Sequence, residues 1–312
     1  MSTPDTRPLG TELVQLEAAP RPRLPEWLRS KSTTHFESVT LLKQDLRRLN
    51  LNTVCESARC PNIHECFHRG AATFMILGNL CTRGCGFCSV PKGSPEKREF
   101  QLDPDEPENV ARMAAAMKLR YVVITSVNRD DLSDGGSLHW AKTVRAVRQA
   151  LPGARIEVLT PDFCGDMSAV ARVLEAQPDV FNHNMETIPR LYRRVRPQAN
   201  YQQSLDVLRF AKRNRPESLT KSGLMVGLGE CEADVQSVMR DLRAHSVDVV
   251  TIGQYLQPTR RNLRVAEYVT PAQFEAYREY GLSLGLKNVF SGPFVRSSYM
   301  ADLVNEQATQ CS

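Results

Sequence analysis

The sequence reads as an α/β protein built on a parallel sheet, and two patterns predict it. Short β-branched runs recur at Thr73–Leu77, Tyr121–Thr125, Arg155–Leu159, Asp179–Asn182, Thr220–Val226 and Asp248–Ile252, with helical periodicity between most of them. Polar or glycine-rich motifs follow several of these runs. Strand–helix repetition of this kind pairs strands in parallel. Right-handed crossovers then curl the sheet into an open or closed barrel whose chemistry gathers at the strand C-terminal ends.

Taken in order, residues 1–24 contain Pro and Arg without periodicity and read as a mobile tail. Pro25-Glu-Trp-Leu-Arg opens a helix-like segment, and Val39, Leu42, Leu46 and Leu49 stand at helical spacing within 36–51, a helical prelude that packs on the main body. Between the strands, helices are expected at Glu108–Leu119, where Pro107 suits the first turn, at Leu138–Leu151 and at Val235–Ala244. Past residue 253 come an amphipathic helix over Pro271–Leu286, a short strand over Asn288–Phe290, and a polar turn, Ser291–Tyr299, leading into a final helix. On pattern alone, Ser297 and Ser298 read as a helix N-cap.

Five motifs fall after strands and would share one mouth: Cys81–Cys88, the run from Thr125 to Leu132, Asn182–Thr187, Gly227–Glu230 and Gln254–Pro258. Each is weak alone, because loops after barrel strands are polar in any barrel; their joint placement carries the weight. The stretch Gly223-x-Met225-x-Gly227-x-Gly229-Glu230 lacks the Lys-Ser/Thr of a phosphate loop, so its glycines serve better to let backbone approach a flat ring.

Composition bounds the rest. The chain has 312 residues, 41% of them hydrophobic, enough for a real core. No apolar run approaches the roughly 20 residues that span a bilayer. The first residues show no charged-then-apolar signal pattern and include Asp5, Glu12 and Glu17, so the expected compartment is the cytoplasm. The net charge of +5 is interleaved with acids and no aromatic-basic stripe appears, so neither a nucleic-acid nor a membrane partner is expected. Arg129, Asp130 and Asp131 read alone as a surface charge run.

Of nine cysteines, six fall between positions 55 and 88, unlike a secreted disulfide framework. Cys164, Cys231 and Cys311 are isolated and read as core or incidental thiols. Cys81, Cys85 and Cys88 form CxxxCxxC in a loop at a strand end, where Gly84 and Gly86 would permit positive φ and a tight fold over an inorganic centre. Three thiolates on a cubic iron–sulfur cluster leave one iron open, whereas electron-transfer clusters are usually closed by four. Structural zinc is the rival, but no nearby CxxC or HxxxH completes a tetrahedron. The second set, Cys55, Cys60 and Cys66, has neither zinc-finger nor ferredoxin spacing and again offers three thiols, so a non-cysteine fourth ligand is implied, with His64 a candidate inside the segment.

CxxxCxxC with an aromatic before its last Cys resembles the signature of the radical S-adenosylmethionine (SAM) enzymes. The two three-cysteine sets together, the TSVxRDDLxDGG run from Thr125 to Gly136, HNxET from His183 to Thr187, and RSSY from Arg296 to Tyr299 resemble the lipoyl synthase family over residues 25–310. Asn128 stands where many members have Asp or Ala, which touches no ligand position. The resemblance implies a partial (β/α)6-type parallel barrel at 71–286, an N-terminal extension at 25–70 carrying the second cysteine set, and a C-terminal extension at 287–312 closing the barrel mouth. It implies two [4Fe-4S] clusters. One sits on Cys81, Cys85 and Cys88 and cleaves SAM to a 5′-deoxyadenosyl radical. The auxiliary one sits on Cys55, Cys60, Cys66 and a serine of RSSY, Ser298 with Ser297 as the alternative, and is consumed as sulfur donor.

The implied reaction inserts sulfur at C6 and C8 of an octanoyl chain carried as an amide on a lysine, as on lipoyl domains of 2-oxoacid dehydrogenases or the glycine-cleavage H protein. A low-potential electron donor such as ferredoxin or flavodoxin, and an iron–sulfur cluster carrier, are the other implied partners. Thr125, Ser126, His183, Asn184, Glu186, Gly227, Gly229 and Glu230 are the candidate SAM or substrate contacts. For His183, Asn184 and Glu186, hydrogen bonding within their loop is the plainer reading, while the resemblance gives Arg129, Asp130 and Asp131 an active-site role. Two rival functions stand beside it: another radical SAM sulfurtransferase, and a two-cluster electron carrier, which would be smaller and fully Cys-ligated.

Overall fold

The computed structural model describes residues 23–29, 36–57, 62, 73–95 and 101–298. The tail expected at 1–24 lies almost wholly outside them, as do Cys60, His64, Cys66 and the final helix expected after Ser298. Among the described residues eight strands form one sheet in sequence order. β1 (Asn52–Thr53) is antiparallel to β2 (Thr73–Ile76). From β2 onward every pairing is parallel, through β3 (Tyr121–Ser126), β4 (Arg155–Leu159), β5 (Val180–Asn182), β6 (Leu219–Val226), β7 (Val249–Gln254) and β8 (Asn288–Gly292). The sheet is an open, partial barrel. Its seventh parallel strand is β8, which reads in the sequence only as a short strand after the barrel and in fact extends it.

The strands are buried on both faces, and their period of two divides the work. Phe74, Ile124, Val158 and Phe181 lie in one row of the register, each fully buried in the apolar core shared with the covering helices. The neighbouring row, Met75, Thr125, Leu159, Asn182 and Lys221, faces the barrel interior. A second core packs β6, β7 and β8 on the later helices through Leu224, Ile252, Val238, Leu242 and Phe274.

The helices are α1 (Phe36–Arg48), α2 (Val54–Ser57), α3 (Glu106–Ala116), α4 (Ser137–Ala150), α5 (Met167–Glu175), α6 (Tyr192–Val195), α7 (Tyr201–Asn214), α8 (Glu232–Ala244) and α9 (Pro271–Ser283). The prelude does pack on the body, since Leu46 and Leu51 join the first core. α3 and α9 end earlier than their apolar periodicity reads, because Lys118 (φ +51°) and Gly285 (φ +85°) take left-handed backbone and stop them. Asp166 and Asn200 accept the backbone N–H of Ser168 and Gln203 and so start α5 and α7.

Beneath the mouth the interior is plugged by polar side chains. Glu157 and Lys221 are both fully buried, with Nζ 3.1 and 3.0 Å from the two carboxylate oxygens. Asn182 Nδ2 and the Tyr121 hydroxyl donate to the same carboxylate at 2.8 and 2.7 Å. Breaking a buried pair on one side strands the other charge, at a cost of about 3–5 kcal/mol. Lys221→Met should therefore lower the unfolding free energy by about that amount, measured by chemical denaturation. Adding Glu157→Gln, which keeps an acceptor for Tyr121 and Asn182, should restore at least half of the loss; no recovery would show that packing rather than charge sets the cost.

Candidate active site

The Cys81–Cys88 loop has little apolar surface, so directed polar bonds hold it. Where β2 ends, Glu106 accepts the N–H of Leu77 at 2.8 Å, and its carboxylate also meets His139 Nε2 at 2.7 Å. Farther on, the guanidinium of Arg83, itself buried, donates from Nε to Asp130 at 2.6 Å and from Nη2 and Nη1 to Asp162 at 2.6 and 3.0 Å. That ties the loop after β2 to the loops after β3 and β4. Burial pushes the Asp162 carboxyl up, but the bonds and charge of Arg83 outweigh it and bring it down to about 2. Asp130 and Arg129 are thus structural neighbours of the site rather than a solvated charge run: Arg129 is buried, pairs with Asp131 at 2.7 Å and reaches the carbonyl of Leu77.

Neither Gly84 nor Gly86 adopts the positive φ expected of it. Gly86 is needed for close approach instead. A Cβ there would lie 2.9 Å from Leu263 Cγ and 3.2 Å from the carbonyl of Arg194. Its N–H donates to Val195 and its carbonyl accepts from Leu263 N–H, so two distant segments clasp the loop.

The three thiols fit a thiolate-bound centre. Cys81 Sγ receives the N–H of Arg83 and of Asn128, each at 3.4 Å, and Cys88 Sγ that of Val90 at 3.5 Å. Such donors stabilise sulfur that carries negative charge. Burial pushes the Cys85 thiol up and Cys88 up to about 11, and a bound metal centre would draw off their protons.

These sulfurs open on a cavity of about 480 Å³ that also takes in residues from the ends of β3 to β7. Ser126 Oγ, Asn128 Oδ1, Thr160 Oγ1 and Asn184 Oδ1 are buried along it and find no partner among the described residues. Orphaned polar atoms in a cavity call for a polar ligand. Thr125 also lines it, although its hydroxyl donates to the carbonyl of Leu159 at 2.9 Å.

After β5 the three candidates separate in role. Both ring nitrogens of His183 are engaged, Nδ1 with the carbonyl of Thr160 at 2.9 Å and Nε2 with Ser204 Oγ at 3.0 Å. Burial lowers its pKa to about 4, so it is a neutral bracket between loops at pH 7. Asn184 Nδ2 donates to Glu186 at 2.9 Å and to Ser297 Oγ at 2.7 Å. Burial raises the pKa of Glu186, with Arg196 and Asn184 opposing.

Gly227, Gly229 and Glu230 are placed differently from their reading as SAM contacts: they are absent from the cavity lining, where Gly223 and Met225 of the same stretch stand. The Glu230 carboxylate is spent on the N–H groups of Gly227 and Leu228, and Gly227 and Gly229 take φ of +98° and +112° to make that turn. A Cβ on Gly227 would strike the side chain of Gln254, which does line the cavity.

The C-terminal turn lies across the mouth. Gly253 leaves room for the backbone of Val295, and Gly223 for Ser297 Oγ at 2.9 Å from where a Cβ would stand. Asn62 Nδ2, from the segment between Cys60 and Cys66, donates to the carbonyl of Phe294 at 2.8 Å. Cys55 and Ser298 both line the cavity. Sequence reasoning missed Arg83, Asp162 and Gly253, and it read Gly223 as room for a flat ring rather than for the C-terminal turn; Arg83 and Asp162 are partnered across 79 residues, and no local signal joins them.

A model of the radical SAM superfamily matches residues 75–242, and one of the N-terminal domain of lipoyl synthase matches residues 6–60. Among solved structures, methylornithine synthase (PylB) has a TM-score of 0.53 at 14% identity, covering 91% of this chain and 90% of its own. Streptococcus suis SuiB bound to S-adenosylmethionine has a TM-score of 0.55 at 12% identity, covering 85% of this chain and 63% of its own. At such identities the likeness concerns the fold. Fold and three-thiol loop together define a radical SAM enzyme. Lipoyl synthase of Rubrobacter xylanophilus is 54% identical over 284 residues, 91% of this chain and 87% of the relative, and that of Coxiella burnetii is 52% identical over 307 residues, 96% of each. The chain belongs to the lipoyl synthase family. No helix among the described residues is long and apolar enough to cross a membrane.

The Arg83–Asp162 bond has a pH signature. Because the folded carboxyl sits at about 2, below its ordinary 3.8, its stabilisation is present above about pH 4 and lost as pH falls from about 4 to 2. The depression is worth about 2 kcal/mol. Between those pH values the unfolding free energy of the native chain should fall by about 2 kcal/mol more than that of Arg83→Met, measured by denaturant titration. Equal slopes would show that Asp162 is held down by something else.

Proposed function

We propose that this chain completes the lipoyl group by inserting sulfur at C6 and C8 of an octanoyl chain held in amide linkage on a carrier lysine. The observation that supports it is one cavity lined jointly by Cys81, Cys85, Cys88, Cys55 and Ser298, members of two separate ligand sets. When bound, a [4Fe-4S] cluster on the CxxxCxxC thiols supplies the electron that cleaves SAM, and a second on Cys55, Cys60, Cys66 and Ser298 supplies the sulfur. The residues do the rest. Ser126, Asn128 and Asn184 offer unpaired polar atoms for the polar parts of SAM. Met75, Leu159, Met225 and Leu256 give the cavity an apolar wall that excludes water and accepts an alkyl chain.

Between the two serines, the geometry favours Ser298 as the ligand. Ser297 Oγ is occupied by Asn184, while the Ser298 hydroxyl makes no hydrogen bond among the described residues. Its hard oxygen among soft thiolates is the donor most easily released. In this reading residues 25–70 carry the auxiliary site, 71–286 the barrel and 287–312 the closing extension. The carriers are lipoyl domains and H protein, served by a low-potential electron donor and a cluster carrier.

Anaerobic incubation with SAM, a strong reductant and an octanoyl-lysine peptide should yield 5′-deoxyadenosine and a mass gain of two sulfurs. Deoxyadenosine without the mass gain would remove sulfur insertion and leave the superfamily chemistry. Cys60→Ala should abolish the gain and spare SAM cleavage, whereas equal loss of both would overturn the division between the two cysteine sets. Iron analysis should give about eight per chain and no zinc.

A further inference from the structure

Two segments that clasp the Cys81–Cys88 loop are strongly and singly charged. Residues 187–200 contain Arg190, Arg193, Arg194 and Arg196 and no acid, and residues 256–266 contain Arg260, Arg261 and Arg264 and no acid. One follows β5 and the other β7, so both lie at the strand C-terminal ends, where the cavity opens. They meet at Gly86: its N–H donates to Val195, its carbonyl accepts from Leu263 N–H at 3.0 Å, and Asn262 Nδ2 reaches the carbonyls of Gly86 and Cys88 at 3.2 and 2.9 Å. Leu256, Gln257 and Pro258 are themselves cavity lining, so the second segment leaves the rim and carries its arginines outward.

Arg193, Arg194, Arg260, Arg261 and Arg264 are all exposed, and among the described residues none of their side chains forms an ion pair or hydrogen bond. Lys92, also exposed, lines the cavity, its Nζ near Gly84, as is Gln198 of the first segment. Elsewhere on the surface Arg48, Arg209 and Arg278 are each neutralised by a carboxylate three residues away, while Arg145 and Arg213 are exposed without a partner among the described residues; what sets the collar apart is that five such arginines stand on two segments that meet at one loop. Unneutralised charge of one sign around an opening raises the local concentration of oppositely charged partners. An octanoyl chain that enters this cavity on a lysine brings the carrier's surface against the rim.

We propose that this arginine collar docks an acidic face of the carrier protein and so selects the macromolecular substrate, separately from the cavity that takes the octanoyl-lysine arm. The inference rests on the sulfur-insertion reading. Rim charges act chiefly on association and its salt dependence, and at ~0.1 M salt the field reaches only about 10 Å. The collar therefore reads charge close to the modified lysine.

The test compares the reconstituted chain with R260E/R261E and, on the other segment, R193E/R194E. Each is assayed on an octanoylated lipoyl domain with acids beside its lysine and on an uncharged octanoyl-lysine tripeptide. In both variants the KM for the domain should rise on the order of tenfold at ~50 mM salt, and the gap should close as salt approaches ~0.5 M. The tripeptide KM and kcat should stay as in the native chain. An unchanged KM for the domain, or an equal rise for the tripeptide, would overturn the collar. If the native chain thiolates neither substrate, the sulfur-insertion reading itself fails. Competition by a polynucleotide as strong as that by the domain would reassign the collar to nucleic acid and likewise overturn the proposal.

Discussion

A single buried guanidinium sets the geometry of the barrel mouth. The loop that carries Cys81, Cys85 and Cys88 must keep its sulfurs turned to a cavity, so it cannot be fixed by burying side chains in a core. Arg83 fixes it by placing one cation between two carboxylates from two other strand-end loops. The guanidinium fork delivers paired bonds to each carboxylate, which sets orientation as well as distance. The desolvation of Arg83 and Asp162 is offset only because both are fully bonded, Asp130 completing the fork from a more exposed position. Thr82, whose N–H and hydroxyl both donate to the carbonyl of Asn128, adds a second tie to the same neighbouring loop.

Glycine governs the opposite side of the mouth, for a reason unrelated to turns. Gly223 and Gly253 stand on the interior face of adjacent strands, where side chains would otherwise fill the barrel. Their missing side chains let the segment after β8 lie on the sheet, so the hydroxyl of Ser297 reaches Asn184 and Ser298 faces the cavity. Asn62 anchors the same segment from outside through Phe294. The turn is therefore gripped from the barrel floor and from the segment between Cys60 and Cys66.

The barrel was readable because strand burial on both faces leaves continuous β-branched runs, and all six expected strands align with β2–β7 within a residue or two. Cys81, Cys85 and Cys88 were legible as one group because their spacing is local, and all three do line one cavity. Contacts between distant positions were not legible. Glu157 and Lys221 are 64 residues apart, and each looks in sequence like a surface charge inside a strand; only the sheet register puts both inward and one layer beneath the cavity. Gly227, Gly229 and Glu230 show the opposite limit. A glycine-rich strand end followed by an acid matches a ligand-approach loop, but the same composition also builds a turn that satisfies its own N–H groups with Glu230. Local pattern cannot separate these two uses of glycine; what separates them is which neighbour a Cβ would strike.

Most of the apolar packing lies away from the sulfurs. The two apolar cores lie between strands and helices and exclude Cys85 and Cys88, while Cys55 belongs to the first core and Cys81 packs against it. This differs from a small zinc module, where metal binding energy is folding energy. Burial keeps the Cys85 and Cys88 thiols protonated at neutral pH, so the loop does not place a cluster of bare negative charges in a poorly solvated cavity. The N–H donors already directed at Cys81 and Cys88 hold their sulfurs oriented in either state. What the barrel supplies is preorganisation: Arg83 and Gly86 hold the three-thiol loop, and Asn184 holds Ser297 of the C-terminal turn, before any ligand is bound.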